Sequence, residues 1–409
     1  MTRNRLLTIA TIAGAAIAGA APLPAAAQGA APIRIGMTVA STGSFALAAQ
    51  SGARGVDIWA DDVNRRGGIE VGGVKRKVEL VKLDDRSDKT LVPKVYETLI
   101  KEQKVDLVFG PFGSTLTAAA ANTTETNNTF MMIWSASADS IYKQGFKYIV
   151  SGTQIAGTLL GQNAVRALNQ MGAKKIAFAY LDEPFPATIT AGAVEIAKKL
   201  GMDVVMNEKF AKGTKDFSIL IQKARATGAD AFYPAAYEGD QMIIARQLRE
   251  MNANFKAVYM VYASQPQFLA IGKDAELIFS QTLLHEKVNY KVTHGLSRAQ
   301  MMERYTAMFP NAAYTADFQT ALAYGAGVVT EEIIRTANSL EAAKLKAAAL
   351  KLNDKIVTLT GPYQIDETGK QYKNEFVIMQ NQKGGPEVVY PPEVQTAKPV
   401  YPVPAFDKR

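Results

Sequence analysis

The feature that most constrains this chain is an alternation of short apolar runs with longer amphipathic segments, kept up through two stretches of similar size. Pro32–Val39 alternates and then runs apolar, which reads as a strand. From Gln50 onward Val56, Trp59, Ala60 and Val63 fall on one helix face, and Gly67-Gly68 ends the helix. Val78–Leu83 is the next strand and Leu91–Lys101 the next helix. Strands at Val105–Phe109, Phe130–Trp134 and Lys147–Val150 follow, with an alanine-rich helix from Leu116 between the first two. A strand-helix-strand order of this kind specifies a parallel sheet with helices on both faces. The pattern then restarts. Helices over Thr158–Met171, Ala187–Leu200, Phe217–Thr227 and Gly239–Met251 alternate with strands at Lys175–Leu181, Asp203–Lys209, Ala231–Tyr233 and Ala257–Tyr262. The expected fold class is α/β, with two such sets.

The rest of the chain reads as a return strand at Leu277–Leu284 and helices over Ser297–Met308, Asp317–Ala337 and Glu341–Leu350. Short strands follow at Tyr363–Ile365 and Glu375–Gln380, and the proline-rich tail from Pro386 is expected to lie extended over the surface.

The chain opens with Met-Thr-Arg-Asn-Arg, continues through an apolar run and reaches Ala25-Ala26-Ala27 before Gln28. A basic start, an apolar middle and a small-residue end make a secretory signal peptide, with cleavage expected after Ala27. There is no cysteine, so neither a disulfide nor a lipid on cysteine can form. No later apolar run is long enough to span a bilayer. A mature chain of about 380 residues is ample for two domains. The formal net charge of +8 is scattered, and no basic run is interleaved with aromatics, so nucleic acid is not an expected partner.

Catalytic residue sets are scarce. The only histidines are His285 and His294, which excludes a multi-histidine zinc site, and the lack of cysteine excludes a thiol nucleophile. Neither Gly-x-Ser-x-Gly, a phosphate loop nor a dinucleotide Gly-rich motif occurs. Asp61-Asp62 and Asp84-Asp85 read as solvated or structural pairs. No cofactor or metal is expected, and no enzymatic activity.

Hydroxyls and aromatics remain. After the Val105–Phe109 strand, Gly110-Pro111-Phe112-Gly113 turns the chain, and Ser114 and Thr115 open the alanine-rich helix. The free N–H groups of a helix start and its dipole make an anion site. Ser135 and Ser137 close the next strand, and parallel strands would bring all four hydroxyls to one sheet edge. The plainer alternative is that Ser114 only caps its helix. The stretch ADAFYPAAYEGDQMIIA repeats the strand-loop-helix pattern of VDLVFGPFGSTLTAAAA, so two equivalent loops could face each other across a cleft. Among the aromatics Tyr180, Phe185, Tyr233 and Tyr237, Phe185 and Tyr237 stand out because both sit in loops after strands.

Taken together, STGSFA near the start, ADDVNRRGGI, KVELVKLDDRSD, FGPFGST, KGTKDFSILIQKARATGADAFYPAAY and LTGPYQIDETG make the mature chain resemble one family. It is that of the periplasmic substrate-binding proteins of branched-chain amino acid ABC transporters, the Leu/Ile/Val-binding type of the type I periplasmic binding fold. The resemblance implies two Rossmann-like lobes with parallel sheets, joined by a three-strand hinge. By position the crossings fall near Tyr148–Gly152, Phe279–Leu284 and Thr358–Tyr363. The lobes would be 33–150 with 283–360, and 151–282 with 361–409.

The resemblance also implies a ligand carboxylate held at Ser114, Thr115, Ser135 and Ser137, with Phe185 and Tyr237 covering it from the other lobe. Family members that bind amino acids hold the ammonium with acidic residues. At the matching places this chain has Gly152-Thr153-Gln154-Ile155 and Val261-Tyr262-Ala263-Ser264, with no carboxylate. A buried ammonium without an anion is costly. The expected ligand is therefore an aromatic or other non-amino acid, with Tyr262 adding aromatic surface. Glu183, Glu238 and Asp240 are the carboxylates that could restore an amino-acid ligand. The expected partners are this small carboxylate and an ABC permease, for a periplasmic monomer without membrane insertion. Ligand sensing is the other role open to the fold.

Overall fold

The computed structural model describes Met1 and residues 30–288, 290–374 and 376–409. The leader expected over residues 1–27 lies, beyond Met1, outside the described residues, as does Glu375 of the expected Glu375–Gln380 strand.

Two parallel sheets organise the chain. In the first, the strands lie in the order Val78–Leu83, Ile33–Thr38, Leu107–Phe109, Met131–Ile133, Ile149–Ser151. Ile35 pairs with Leu107, Val108 with Met131 and Met132 with Val150. Leu107–Phe109 and Met131–Ile133 are apolar throughout and wholly buried, as strands covered by helices on both faces must be. The second sheet runs Ala257–Val258, Ala231–Ala235, Lys175–Leu181, Asp203–Phe210. Each lobe thus places its second strand outside its first and its third on the other side. The loops after the first and third strands leave in opposite directions, which opens a crevice at the carboxyl edge of the sheet.

In the first lobe, helix Ala46–Arg65 buries Val56, Trp59, Ala60 and Val63 and packs on helix Phe318–Ala337. Arg66 clamps the buried Glu331 of that second helix through two bonds of 2.8 Å. In the second lobe, helices Gly157–Gln170 and Pro184–Lys199 cross with their backbones in contact. A Cβ on Gly161 would stand 2.0 Å from the Ile189 carbonyl oxygen, and one on Gly192 2.0 Å from that of Thr158.

Several elements depart from the sequence expectation. The helix expected over Leu91–Lys101 is an α-helix only over Val92–Glu97 and continues as a π-helical turn, Thr98–Glu102. The strand expected over Ala257–Tyr262 stops at Val258, because Tyr259 bridges to Phe279 and Met260 donates to the Phe279 carbonyl. Tyr363–Ile365 is not a strand; only Ile365 forms a bridge, with Gln371. The tail from Pro386 is not simply laid over the surface: Gly385–Tyr390 pairs antiparallel with Val377–Gln382, which pairs in turn with Phe279–Thr282. Its place at the edge of that sheet tolerates Pro386, which has no N–H to donate. A hairpin, Ile69–Val71 with Val74–Arg76 around Gly72-Gly73, was not anticipated.

The chain passes between the sheets beside the Ser151–Ala156 segment. Ser151 N donates to the Gly369 carbonyl (2.8 Å), Ala156 N to that of Gln371 (2.9 Å), and Asn374 Nδ2 to that of Thr153 (2.8 Å). Phe279–Thr282 supplies a second passage. The third crossing is expected at Thr358–Tyr363. There, Val357–Thr358 folds back on Gly361–Pro362, and the Tyr363 hydroxyl donates to the Ala349 carbonyl (3.2 Å) on a helix near the first sheet.

Because the Gly161–Gly192 crossing leaves no room for a side chain, Gly192→Ala should destabilise the protein by about 1–3 kcal/mol. Thermal or urea unfolding would read this as a lowered midpoint.

Candidate functional site

The crevices of the two sheets face each other, and the residues singled out from the sequence gather there. Gly113 adopts φ 85° and ψ 149°, a conformation that suits glycine, and the helix Ser114–Thr126 starts directly after it. Gly113, not Ser114, is therefore the N-cap residue. Ser114 Oγ instead accepts hydrogen bonds from the backbone N–H groups of Ser137 (3.2 Å) and Ala138 (3.1 Å). Ser135 Oγ accepts from Gly113 N (3.2 Å) and donates to the Pro111 carbonyl (3.4 Å). The two strand ends are thus stitched together at the helix start, whose first-turn N–H groups have no carbonyl within the helix.

Ser114, Ser135 and Gly113 line an enclosed cavity between the lobes, as do Phe185, Tyr237 and Tyr262. Its volume is about 10 Å³. Ser137 Oγ is buried without a partner nearby in the loop but is not among the lining groups. Thr115 is turned away. Its hydroxyl donates to Glu183 Oε2 (3.1 Å) across the lobe boundary, and it lines a wider outer cleft. Successive helical residues point about 100° apart, so Ser114 and Thr115 cannot both face inward.

The aromatic wall is longer than the sequence suggested. Ring centroids run from Phe112 to Tyr237 (6.3 Å), Phe185 (5.6 Å), Tyr262 (6.4 Å), Phe318 (6.0 Å) and Phe376 (5.7 Å). The Tyr237 hydroxyl lies beside Gly113, 3.5 Å from where a Cβ would be, so the second lobe reaches the hydroxyl-rich end of the cavity. It is buried without a well-formed hydrogen bond, and burial pushes its pKa far up although the Thr115 hydroxyl opposes this. Tyr233 is not part of the wall: it packs in the core on Phe178 (5.5 Å) and Tyr259 (4.6 Å).

Gln154, expected only as part of the uncharged Gly152–Ile155 segment, lines the cavity, and sequence reasoning missed Gln281, Gln319, Phe318 and Phe376, which line it too. They come from the passages between the lobes and from the start of helix Phe318–Ala337, and share no local motif. Phe112 was visible only as part of the turn Gly110–Gly113.

No Asp, Glu, Lys, Arg or His is among the cavity-lining residues. The charges stand outside it. The outer cleft, about 570 Å³, is bordered by Asp88, Lys89, Asp182, Glu183 and Lys212. Lys212 pairs with Glu183 (2.9 Å) and lies over the Phe45 ring of the other lobe (5.5 Å).

A family model described as "Periplasmic binding protein" matches residues 32–386. The chain belongs to the periplasmic binding protein family. A Leu/Ile/Val-binding protein homolog of Brucella melitensis is 24% identical over 396 residues, covering 90% of this chain and 93% of the relative. The fold is similar to that of the leucine-binding protein LivK of Thermotoga maritima, with a TM-score of 0.76 and 22% identity over 87% of this chain and 97% of that one. It is also similar to a solute-binding protein of an R. palustris ABC transporter solved with benzoate, with a TM-score of 0.74 and 15% identity over 91% of this chain and 98% of that one.

In this binding protein the three carboxylates that could restore an amino-acid ligand stand outside the cavity lining, either paired or with a raised pKa. Glu183 is held by Lys212 and Thr115. Burial raises the pKa of Asp240 against the opposing effect of Lys215. Glu238 is 7% exposed; Gln267 Nε2 donates to its Oε2 (3.0 Å), while Oε1 has no partner. Burial pushes its pKa up to about 8, with the Gln267 bond opposing and Asp317 adding to the rise. Asp61, Asp62, Asp84 and Asp85 are engaged with Arg65, Arg66, Ser41 and Thr38 respectively. Among the described residues no group of three or more His, Cys, Asp and Glu is placed to hold a metal ion.

Two variants separate positioning from contact. Ser114→Ala strands two buried N–H groups and should lower both the melting temperature and ligand affinity, at about 1–3 kcal/mol of stability. Tyr237→Phe removes a hydroxyl without a well-formed partner, so the free protein should be as stable as before while affinity falls about tenfold. Thermal unfolding and calorimetric titration of both variants check this.

Glu238 also makes stability depend on pH. Its folded pKa lies above its unfolded value, so its contribution is fully favourable below about pH 4.3 and is lost as pH rises towards 8, at most about 1.4 kcal/mol per pH unit. Glu238→Gln should therefore match the wild type near pH 4 and exceed it in melting temperature at pH 8.5.

Proposed function

We propose that this binding protein is exported to the periplasm, captures a small carboxylate-bearing compound between its lobes and delivers it to an ABC permease. The ligand is an aromatic or other non-amino acid rather than leucine, isoleucine or valine. The observation that carries this reading is the neutral lining of the enclosed cavity. A carboxylate there can be held by the first-turn N–H groups of helix Ser114–Thr126 and its dipole, with Ser114, Ser135 and Tyr237 beside it. An ammonium would find no counter-charge, and Glu238, with its pKa near 8, is protonated at neutral pH.

The benzoate held by the R. palustris protein supports an aromatic acid as a ligand type for this fold. The Leu/Ile/Val-binding names of the sequence relatives support transport and favour the amino-acid alternative. Release and capture require no chemistry, only a closed form that binds the ligand better than the open one. Thr115–Glu183 and Lys212–Phe45 already join the two lobes at the cleft mouth.

A thermal-shift panel decides between the ligand types. Benzoate, phenylacetate and phenylpropanoate are expected to raise the melting temperature by several degrees, and leucine, isoleucine and valine to leave it unchanged. A strong shift with leucine and none with any acid lacking an amine would overturn the reading.

A further inference from the structure

Two neutral amides line the cavity with one hydrogen-bonding atom each left unmet. Gln281, on the passage strand Phe279–Thr282, is 1% exposed. Its Oε1 accepts from the Tyr259 hydroxyl (2.8 Å), and its Nε2 has no partner. Gln319, in the first turn of helix Phe318–Ala337, is 3% exposed, and its Oε1 has no partner. One lacks an acceptor and the other a donor, and both border the same enclosed space.

Their place in that space follows from their neighbours. Phe318, next to Gln319 in the chain, stacks on Tyr262 with the ring planes 22° apart. The Ser264 hydroxyl, two residues after Tyr262, donates to the Gln281 carbonyl (2.6 Å). Both glutamines are therefore tied to the Tyr262–Phe318 part of the aromatic wall. Gly113 lies instead beside Tyr237, two ring contacts away along that wall.

We propose that Gln281 and Gln319 select ligands whose end remote from the carboxylate bears a neutral group that both donates and accepts a hydrogen bond, a hydroxyl or a carboxamide. This rests on the carboxylate reading above and narrows it. A buried polar atom left unpaired by a ligand is penalised far more than a missing methylene, so a site built this way rejects the analogue that lacks the group. A hydroxyl also satisfies either orientation of each amide, since it can meet an N–H or a carbonyl oxygen. An ammonium can donate to Gln319 but offers nothing to Gln281 Nε2. Tyr259 is wholly buried and packed on Tyr233, so the amide it engages is held in place before the ligand arrives.

Calorimetric titration with matched benzoates and phenylpropanoates carrying hydrogen, methyl, hydroxyl or carboxamide at the para position tests the proposal. The hydroxyl or carboxamide member of a series should bind at least tenfold tighter than its methyl counterpart. In Gln281→Met and Gln319→Met this ratio should fall below threefold because the methyl compound binds more tightly than to the wild type, with an unchanged circular dichroism spectrum showing that the variant is folded. Acids that bind the wild type without a hydroxyl or carboxamide preference would overturn the selection by glutamine and leave the carboxylate reading standing. Binding of leucine with no response to any of these acids would overturn both. The wild-type series decides even where a variant does not fold.

Discussion

Two backbone N–H groups, those of Ser137 and Ala138, end on a single side-chain oxygen, Ser114 Oγ, and the site depends on that tie. Adjacent strands of a parallel sheet deliver their loops to one edge, but nothing in the sheet itself fixes the loops to each other. Here Ser114 holds the loop after Met131–Ile133 against the helix that follows Leu107–Phe109, and Ser135 returns the favour by accepting from Gly113 N. The Trp134 indole adds a third link by donating to the Gly110 carbonyl (2.9 Å). Each bond contributes about 1 kcal/mol net, but leaving any of these buried groups unpaired would cost more than that. The result is a rigid helix start whose free N–H groups point from a fixed place.

The second lobe meets this fixed edge with rings rather than charges. Phe45 and Phe112 of the first lobe lie 4.7 and 6.3 Å from Tyr237 of the second, mostly edge to face. Such pairs add about 0.5–1.5 kcal/mol each beyond their buried area. The charged contacts are kept to the outer cleft, where Glu183 pairs with Lys212 and each also touches the first lobe, Glu183 at Thr115 and Lys212 at Phe45. Because the Lys212 end of this pair is open to water, it adds little to closure. The lobes are thus drawn together by aromatic burial, and the selectivity of the interior is left to neutral donors and acceptors.

How much of this could be read in the sequence follows from which signals are local. The strand-loop-helix units were legible because each is written in consecutive residues, as in Val105–Ala121, and the order of units specified the sheets. The pairing of Gly385–Tyr390 was hidden because it depends on a partner strand and because Pro386 suggested irregular chain. Ser114 and Thr115 looked alike in sequence; the helical rotation between neighbours separates them, one facing the cavity and the other Glu183. Phe185 and Tyr237 stood out as aromatics in loops after strands, and Tyr262 only through its place in the family resemblance. Gln281 and Gln319 were not legible, since they meet only when a passage between the lobes and the start of a distant helix are brought together.

The narrowness of the cavity adds a constraint on what can enter. The space open to water-sized spheres, about 10 Å³, is close to that of one water molecule, so a ring-sized ligand is accommodated only as the lobes or the wall aromatics give way. Parting Phe45 and Phe112 from Tyr237 forfeits their edge contacts, and the ligand must replace them. A flat aromatic body can do so ring for ring, presenting an edge to one neighbour and a face to the next. A branched aliphatic side chain buries apolar area but offers no quadrupole to the rings it separates. The wall that closes the site therefore supports the aromatic acids proposed above as its ligands.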